Sequence, residues 1–336
     1  MRKLFAYLAQ FLLGLLTQIK FAQLSLFSML YDILVIGELN VDLILTGEDL
    51  QPDFGQAEKL VEDATLALGS SSAIFACGAS RLGLRVAFAG KVGQDDFGRY
   101  ILNTLQRRGV DTSPVVVDPE IKTGVTLHLS RPDDRAMLTF LGSIAAFRFR
   151  DVDPSLFSQT RHVHQGSFFL QTGLQPDLAH LFASAHQAGA TVSLDPGWDP
   201  REGWNGFLPG ALKTVDVFLP NAQEAQEISG EATPEAAGSR LSSNIPLVVI
   251  KLGEQGAVAF SGEQHEQCAG FSVESINTTG AGDSFDAGFL YGFLQEFPLE
   301  ESLRWGCACG ALSTTHVGGI EGQPTVAEVQ AFLASR

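Results

Sequence analysis

Positive charge is scarce in this chain: 22 lysines and arginines stand against 38 aspartates and glutamates, a formal net charge of −16. A surface that grips nucleic acid needs a basic stripe to neutralise phosphates, and none is visible, which argues against that class. Cysteine is thin as well. Cys77 and Cys268 are isolated, and Cys307 with Cys309 lacks the two-residue gap and second pair of a zinc site. The four read as buried free thiols and fit a reducing, cytoplasmic setting. There is no internal repeat and no low-complexity linker, and the 35 glycines and 14 prolines are spread out, so they read as turns. A comfortable membrane span is missing too. Residues 4–16, after Met1-Arg2-Lys3, resemble the start of a signal peptide, but the run is too short to span and no small-x-small cleavage site follows. Residues 1–30 are therefore expected to be an N-terminal extension, either an accessory amphipathic segment or the result of a true start at Met29.

From residue 31 the chain alternates short β-rich runs with helical periods. Residues 32–37 form an apolar run too short for a helix, which predicts a buried strand. A helix over 73–82 closed by Gly83, a strand over 85–90, and a helical stripe of Phe97, Ile101, Leu102 and Leu105 stopped at Gly109 follow. Leu178, Leu181, Phe182 and Ala185 make another stripe, before strands at 191–194, 215–219 and 247–251. Helix, glycine, strand, repeated, predicts an α/β fold: a three-layer sandwich around a mostly parallel sheet. Segments 42–68 and 123–141 are turn-rich and alternate like exposed strands, which predicts a small antiparallel β-sheet lid. Ligands of such folds sit beyond the carboxyl ends of the strands.

The strongest motif is Asn277-Thr278-Thr279-Gly280-Ala281-Gly282-Asp283-Ser284-Phe285-Asp286-Ala287-Gly288. Glycines 280 and 282 allow a tight turn that aims successive N–H groups into one space, and a helix starting there adds its dipole. Such a nest suits the negative charge of a transferring phosphoryl group, with Asp283 placed to accept a proton from an attacking hydroxyl. The other reading of the same residues is a helix N-cap aspartate after a glycine turn. A dinucleotide fingerprint would need a third glycine at position 285, where Phe285 stands.

With that segment in view, residues 31–335 resemble the ribokinase-like, or PfkB-type, carbohydrate kinases. The 277–288 segment looks like that family's C-terminal signature. Asn221-Ala222-Gln223-Glu224 matches its Asn-x-x-Glu motif, Lys251-Leu252-Gly253-Glu254-Gln255-Gly256 its segment along the nucleotide, and 310–319 its closing helix and glycine turn. Gly37-Glu38-Leu39-Asn40-Val41-Asp42 looks like the first sugar-binding segment. On their own, Asn221 and Glu224 read equally as a helix cap, Gly253 and Gly256 as a hairpin turn, and Asp42 as a strand-end residue.

The resemblance implies an ATP- and Mg²⁺-dependent kinase acting on a hydroxyl of a small sugar or sugar-like substrate, of the ribose, fructose or keto-sugar acid class. Nucleoside and sugar-phosphate kinases, or a non-catalytic sugar sensor, are the alternatives on the same fold. It implies Asp283 as base and Gly280, Ala281 and Gly282 as anion hole. Asn40, Asp42, Gly69, Ser70 and Ser71 would hold the substrate, and Asn221, Lys251, Gly253, Gly256 and Cys307 the nucleotide. Glu224 would act on Mg²⁺ indirectly. Asn277, Thr279, Ser313 and Gly318 are the candidates for a monovalent cation such as K⁺, a site put in doubt because Asn277 stands where the family has Asp. The family's Gly-Gly-x-x-x-Asn reads here Gly69-Ser70-Ser71-Ser72-Ala73-Ile74, so the contact of that asparagine is lost or supplied by Ser70 to Ser72. Asp195 reads as facing the phosphate region or as a turn residue before Pro196, and His162 and His164 as structural. Arg131, Arg135 and Lys122 are the candidates to meet a phosphorylated acceptor, and Phe140 and Phe168 to stack on a nucleoside. Pairing of two copies through the lid is a further expectation.

Overall fold

The computed structural model describes residues 29–131 and 135–336. The expected extension over 1–30 lies almost wholly outside these residues. No helix among the described residues is long and apolar enough to cross a membrane.

An eight-stranded sheet forms the centre, in the order β14-β13-β12-β11-β10-β9-β1-β4. Its strands are β1 (Tyr31–Ile36), β4 (Val86–Ala89), β9 (Thr160–Gln165), β10 (Thr191–Leu194), β11 (Val217–Phe218), β12 (Leu247–Lys251), β13 (Ala257–Ser261) and β14 (Gln264–Cys268). From β4 to β12 every pairing is parallel, and β13 and β14 then turn back antiparallel. The fully buried YDILVI run of β1 serves both faces: Ile33 and Val35 enter one core, Leu34 and Ile36 the other. One face is covered by α1 (Ser71–Arg81), α2 (Asp96–Arg107), α6 (Ala281–Leu294), α7 (Leu299–Ser313) and α8 (Val326–Ala334). The opposite face carries α3 (Leu178–Gln187), α4 (Ala222–Ser229) and α5 (Pro234–Leu241). The result is the expected three-layer sandwich. From β1 the chain goes first to β4 on one side and later to β9 on the other, so the strand order reverses beside β1, where such sheets open a crevice.

A two-stranded parallel sheet pairs β5 (Lys91–Gly93) with β6 (Val116–Asp118), and a further sheet runs β3-β2-β7-β8, from β2 (Asn40–Thr46), β3 (Asp63–Leu68), β7 (Gly124–Ser130) and β8 (Arg135–Phe140). It is not purely antiparallel as expected. β2 pairs with β3 and β7 with β8 antiparallel, but β2 and β7 run parallel. The physical reason is the connection: α1, β4 and α2 all intervene between β3 and β7, and so long a crossover can return the chain in the same direction. His162 and His164 take structural places inside the main sheet. His162 Nδ1 lies 2.7 Å from Thr191 Oγ1 and its Nε2 2.7 Å from Ser193 Oγ, while burial lowers both imidazoles to about 3, keeping them neutral.

Candidate active site

The glycine turn of the 277–288 segment opens α6. Gly280 is its N-cap with φ +73°, a left-handed conformation that L side chains rarely adopt. Space also demands glycine there, because a Cβ would meet Gly319 O at 2.7 Å and Ile74 Cγ2 at 2.9 Å. The amide of Ala281 donates to Thr278 O at 3.2 Å, so it is taken by the protein itself. Those of Gly280, Gly282 and Asp283 find no acceptor among the described residues and remain at the helix's positive end. Sequence reasoning had counted all four.

Beside this turn lies a compact charge cluster that the sequence showed only in fragments. Lys251 Nζ, at the end of β12, is 2.7 Å from Asp195 Oδ2 and 3.1 and 3.2 Å from the two oxygens of Asp286. The three side chains are 11%, 9% and 1% exposed, so the pairs are held away from water. The lysine also flanks the nest: a Cβ on Gly282 would sit 3.7 Å from Nζ. Burial opposes charge on Lys251, but Asp195, Asp286 and Glu224 outweigh it and hold the ammonium above its usual range. Burial likewise works against Asp195, yet the neighbouring Lys251 keeps that carboxyl below the ordinary value. Asp286 and Asp283 are pushed well up, first by burial and then, despite Lys251, by the charge of Asp195. Glu38 raises Asp283 further, and a hydrogen bond from Ser71 pulls the other way. Asp195 fills the turn role read from the sequence, since its Oδ1 accepts from Gly197 N at 2.9 Å, while its other oxygen faces Lys251.

Asn221 and Glu224 form a reciprocal capping box on α4: Glu224 N donates to Asn221 Oδ1 and Asn221 N to Glu224 Oε2, both at 2.9 Å. The cap is therefore realised. It leaves Oε1 of a buried carboxyl that burial and Asp195 raise to about 7. A buried carboxyl under such like-charge pressure is a donor a divalent cation would relieve.

A cavity of about 470 Å³ opens on this cluster. Lys251, Gly253, Gly256, Ala281, Gly282 and Cys307 all line it, bringing together six residues scattered over 57 positions of chain, from 251 to 307. Two of the monovalent-cation candidates, Asn277 and Ser313, each engage one local partner and keep lone pairs on the oxygen concerned. Asn277 Oδ1 accepts from Thr279 N at 2.8 Å, and the buried Ser313 hydroxyl donates to Gly310 O at 2.8 Å.

On the other side of Asp283 lies the Gly69–Ser72 turn. Its serines divide the work differently from expectation. Ser70, buried and at φ +69°, caps α1: its hydroxyl accepts from Ala73 N at 2.9 Å and donates to Glu38 O at 2.6 Å. Ser72 gives its N–H (3.2 Å) and hydroxyl (2.5 Å) to the Glu38 carboxylate. Both hydroxyls give their proton to Glu38, and Ser71 is the serine that bonds to Asp283. Ile74 packs on the glycine turns, its side chain against Gly280 and Gly319. Asn40 Nδ2 donates to Asp42 Oδ1 at 3.1 Å, and Asp42 Oδ2 lies 3.1 Å from His128 Nε2. Gly69 is pressed on both, with an added Cβ only 2.3 Å from Asn40 Nδ2 and from Asp42 Oδ1.

Sequence reasoning missed Glu38, His128 and Asp286. Asp286 was within reach, three residues after Asp283 and so on the same helical face. Burial lifts the Glu38 carboxyl to about 6, against the hydrogen bonds from Ser72. Of the acceptor candidates, Lys122 and Arg131 are exposed, the side chain of Arg135 lies outside the described residues, and Phe168 is buried core.

Comparison with known proteins agrees with this geometry. The pfkB family carbohydrate kinase model matches residues 31–326. An uncharacterized sugar kinase of Archaeoglobus fulgidus is 33% identical over 74% of this chain and 98% of its own. Fructokinase-2 of Solanum habrochaites is 30% identical over 79% and 86%. The fold of Arabidopsis thaliana ribokinase, solved with ribose and ATP, superposes with a TM-score of 0.81 at 22% identity, covering 91% of this chain and 99% of that one. The family model over residues 31–326 and the relative at 33% identity show which group this sandwich belongs to: the chain is a member of the pfkB family of carbohydrate kinases.

Proposed function

We propose that this kinase transfers the γ-phosphoryl group of ATP to a hydroxyl of a small neutral sugar. The observation that carries the reading is the set of free amides at Gly280, Gly282 and Asp283, flanked by Asp283 on one side and the anchored Lys251 on the other. ATP would occupy the 470 Å³ cavity, its phosphates directed to the head of α6. Asp283 takes the proton of the attacking hydroxyl. Its raised pKa makes it a stronger base than an ordinary carboxylate. As the oxygen approaches the γ-phosphorus, the three amides and Lys251 hold the charge on the transferring group. Glu224, with Asp195 beside it, would act on Mg²⁺, which would neutralise the nucleotide's phosphates. Asn277, an uncharged side chain where the family has Asp, speaks against K⁺ activation.

Asn40, Asp42 and the Gly69–Ser71 turn would orient the sugar, with Ser70 acting through the backbone it caps. Three carboxylates, Glu38, Asp42 and Asp283, surround that turn. None of the side chains named around the turn is a lysine or arginine that would pair with a keto-sugar acid or a sugar phosphate, which favours a neutral ribose- or fructose-like acceptor. We read residues 31–335 as the catalytic domain, with segments 42–68 and 123–141 as a lid that excludes water on closing. Two copies would pair through the lid, where Leu66, Met137, Leu138 and Phe140 are 38–61% exposed. A cytoplasmic location would supply the ATP.

An ADP-release screen of the Met29-start protein against pentoses, hexoses, keto-sugar acids, nucleosides and sugar phosphates tests the reading. Turnover on a neutral sugar is expected, and turnover confined to an anionic acceptor would overturn the substrate class. Asp283→Asn should lower kcat roughly 10²–10⁴-fold with ATP affinity kept. Wild-type turnover in that variant would remove the base.

A further inference from the structure

The sheet of β2, β3, β7 and β8 carries its polar residues on one side. Side chains alternate across a strand, so Asn40 and Asp42 of β2 share a face with Thr126 and His128 of β7 and with Thr139 of β8. The group is linked. Asn40 Nδ2 lies 3.1 Å from Asp42 Oδ1 and 3.4 Å from Thr126 Oγ1, which is 3.1 Å from Thr139 Oγ1. His128 completes it from the other side of the carboxylate, with Nε2 3.1 Å from Asp42 Oδ2. The two side chains are only 15% and 11% exposed. Yet this ring nitrogen, shut off from water, makes no hydrogen bond among the described residues. It is near enough to Asp42 for an ion pair but off the line a hydrogen bond needs. A shielded polar atom left unpaired is costly, and a small turn of the carboxylate or the ring removes that cost. Phosphoryl transfer as described makes no use of this imidazole.

We propose that His128 is a positioning residue for the sugar: its Nε2–H clamps the Oδ2 side of Asp42, as Asn40 holds the Oδ1 side, and so fixes the carboxylate toward the sugar's hydroxyls. The proposal deepens the reading of Asn40, Asp42 and the Gly69–Ser71 turn as the sugar's place, and it rests on that reading. The terminal torsion of an aspartate is broad, so a carboxylate held at one oxygen still turns and loses that freedom when a ligand binds. Held at both, it is oriented beforehand and keeps a lone pair on each oxygen for the ligand. Oδ1 is fixed already. Asn40 donates to it, and Gly69 packs so closely that an added Cβ would sit 2.3 Å away. The direction of Oδ2 is what is left to His128. Because the ring stands on β7 and the carboxylate on β2, the clamp also ties one lid segment to the other at the sugar.

Steady-state kinetics of the full chain, on the sugar found by the acceptor screen, compare His128→Phe, His128→Gln and His128→Asn, with His128→Phe also combined with Asp42→Ala. His128→Phe keeps a ring and removes the donor. It should raise the KM for sugar roughly tenfold, the size of one hydrogen bond to a charged group, with kcat within about threefold and the KM for ATP unmoved. Glutamine carries an amide N–H as far along its side chain as Nε2 of histidine, and asparagine stops one bond short. His128→Gln should therefore return the KM to near wild type, and His128→Asn should not. In the Asp42→Ala background no carboxylate is left to orient, and His128→Phe should then change kcat/KM for sugar by less than about twofold. A wild-type KM in His128→Phe, equal effects of His128→Gln and His128→Asn, an equal rise in the KM for ATP, or the full loss repeated beside Asp42→Ala would each overturn the clamp and leave the sugar's place standing. Should Asp42→Ala itself leave the KM for sugar unchanged, the sugar reading of this face falls and the clamp with it. If His128→Phe melts below the assay temperature, the comparison of His128→Gln with His128→Asn decides alone.

Discussion

Replacing Lys251 by methionine removes the single ammonium that two carboxylates share. Lys251 Nζ lies 2.7 Å from Asp195 and 3.1 Å from Asp286, and those carboxylates are 9% and 1% exposed. Methionine fills a similar volume, so the cost is electrostatic. Two like charges are left close together and out of water, and breaking a buried pair from one side costs about 3–5 kcal/mol. Urea denaturation at neutral pH should report a loss of that size. The pH dependence gives a sharper check. Without the ammonium, Asp195 joins Asp286 in having a folded pKa above the unfolded value. Stability from such groups is present below the unfolded pKa and is lost as pH rises through the folded one. The gap between variant and wild type should therefore shrink in mild acid and widen toward neutrality. Asp286→Asn added to the methionine variant should restore part of the loss, because one carboxylate then disappears. A variant within about 1 kcal/mol of wild type, the range of an exposed pair, or a gap that widens in acid, would refute the reasoning.

Glu38 offers a second pH window. Burial lifts its carboxyl from 4.5 to about 6, so its neutral form stabilises the fold below the lower value and that contribution fades as pH rises through the higher. The shift is worth on the order of 2 kcal/mol, and Glu38→Gln should flatten the stability profile between those limits; an unchanged profile would place the titration elsewhere. Gly69→Ala puts a methyl 2.3 Å from both Asn40 Nδ2 and Asp42 Oδ1, and one side chain must give way. The KM for sugar should rise roughly tenfold, about 1.4 kcal/mol of binding, with the KM for ATP unchanged. A parallel rise in both would mean the turn serves the whole site and not the sugar alone.

The sandwich was legible in the sequence because its signals are local. β1 is an unbroken apolar run, and the stripe of α2 is stopped at a glycine, so each element announces itself within a dozen residues. The sheet of β2, β3, β7 and β8 was only half legible. Alternation marks a strand, but whether β2 and β7 run parallel depends on where α1, β4 and α2 send the chain in between, and no window of sequence contains that. The site divides along the same line. The nest could be read because its parts are neighbours in the chain, whereas Asp195, Lys251 and Asp286 come from three elements and meet only when the sheet is assembled. Glu38 gave no signal at all. A carboxyl after a strand is ordinarily solvated, and its burial follows from Ser72 and Gln171 closing over it.

The same long-range packing changes the meaning of Ile74. From the sequence it is a polar contact removed from the sugar side. In the fold its side chain lies against Gly280 and Gly319, while one residue earlier Ala73 N is held by the cap of Ser70. The head of α1 thus bears on the glycine turn that opens α6, and Ser71 from that head reaches Asp283. An asparagine at 74 would have to bury an amide against bare glycine backbone, a cost of about 1–3 kcal/mol if left unpaired. Isoleucine instead gives the two helix heads a shared apolar joint. A shift in the Ser70–Ser72 turn as sugar binds would then be passed directly to the base and the amides beside it. On this reasoning Ile74→Asn should lower kcat more than it changes the KM for sugar. An unchanged kcat with a lower KM would show that position 74 belongs to the sugar after all.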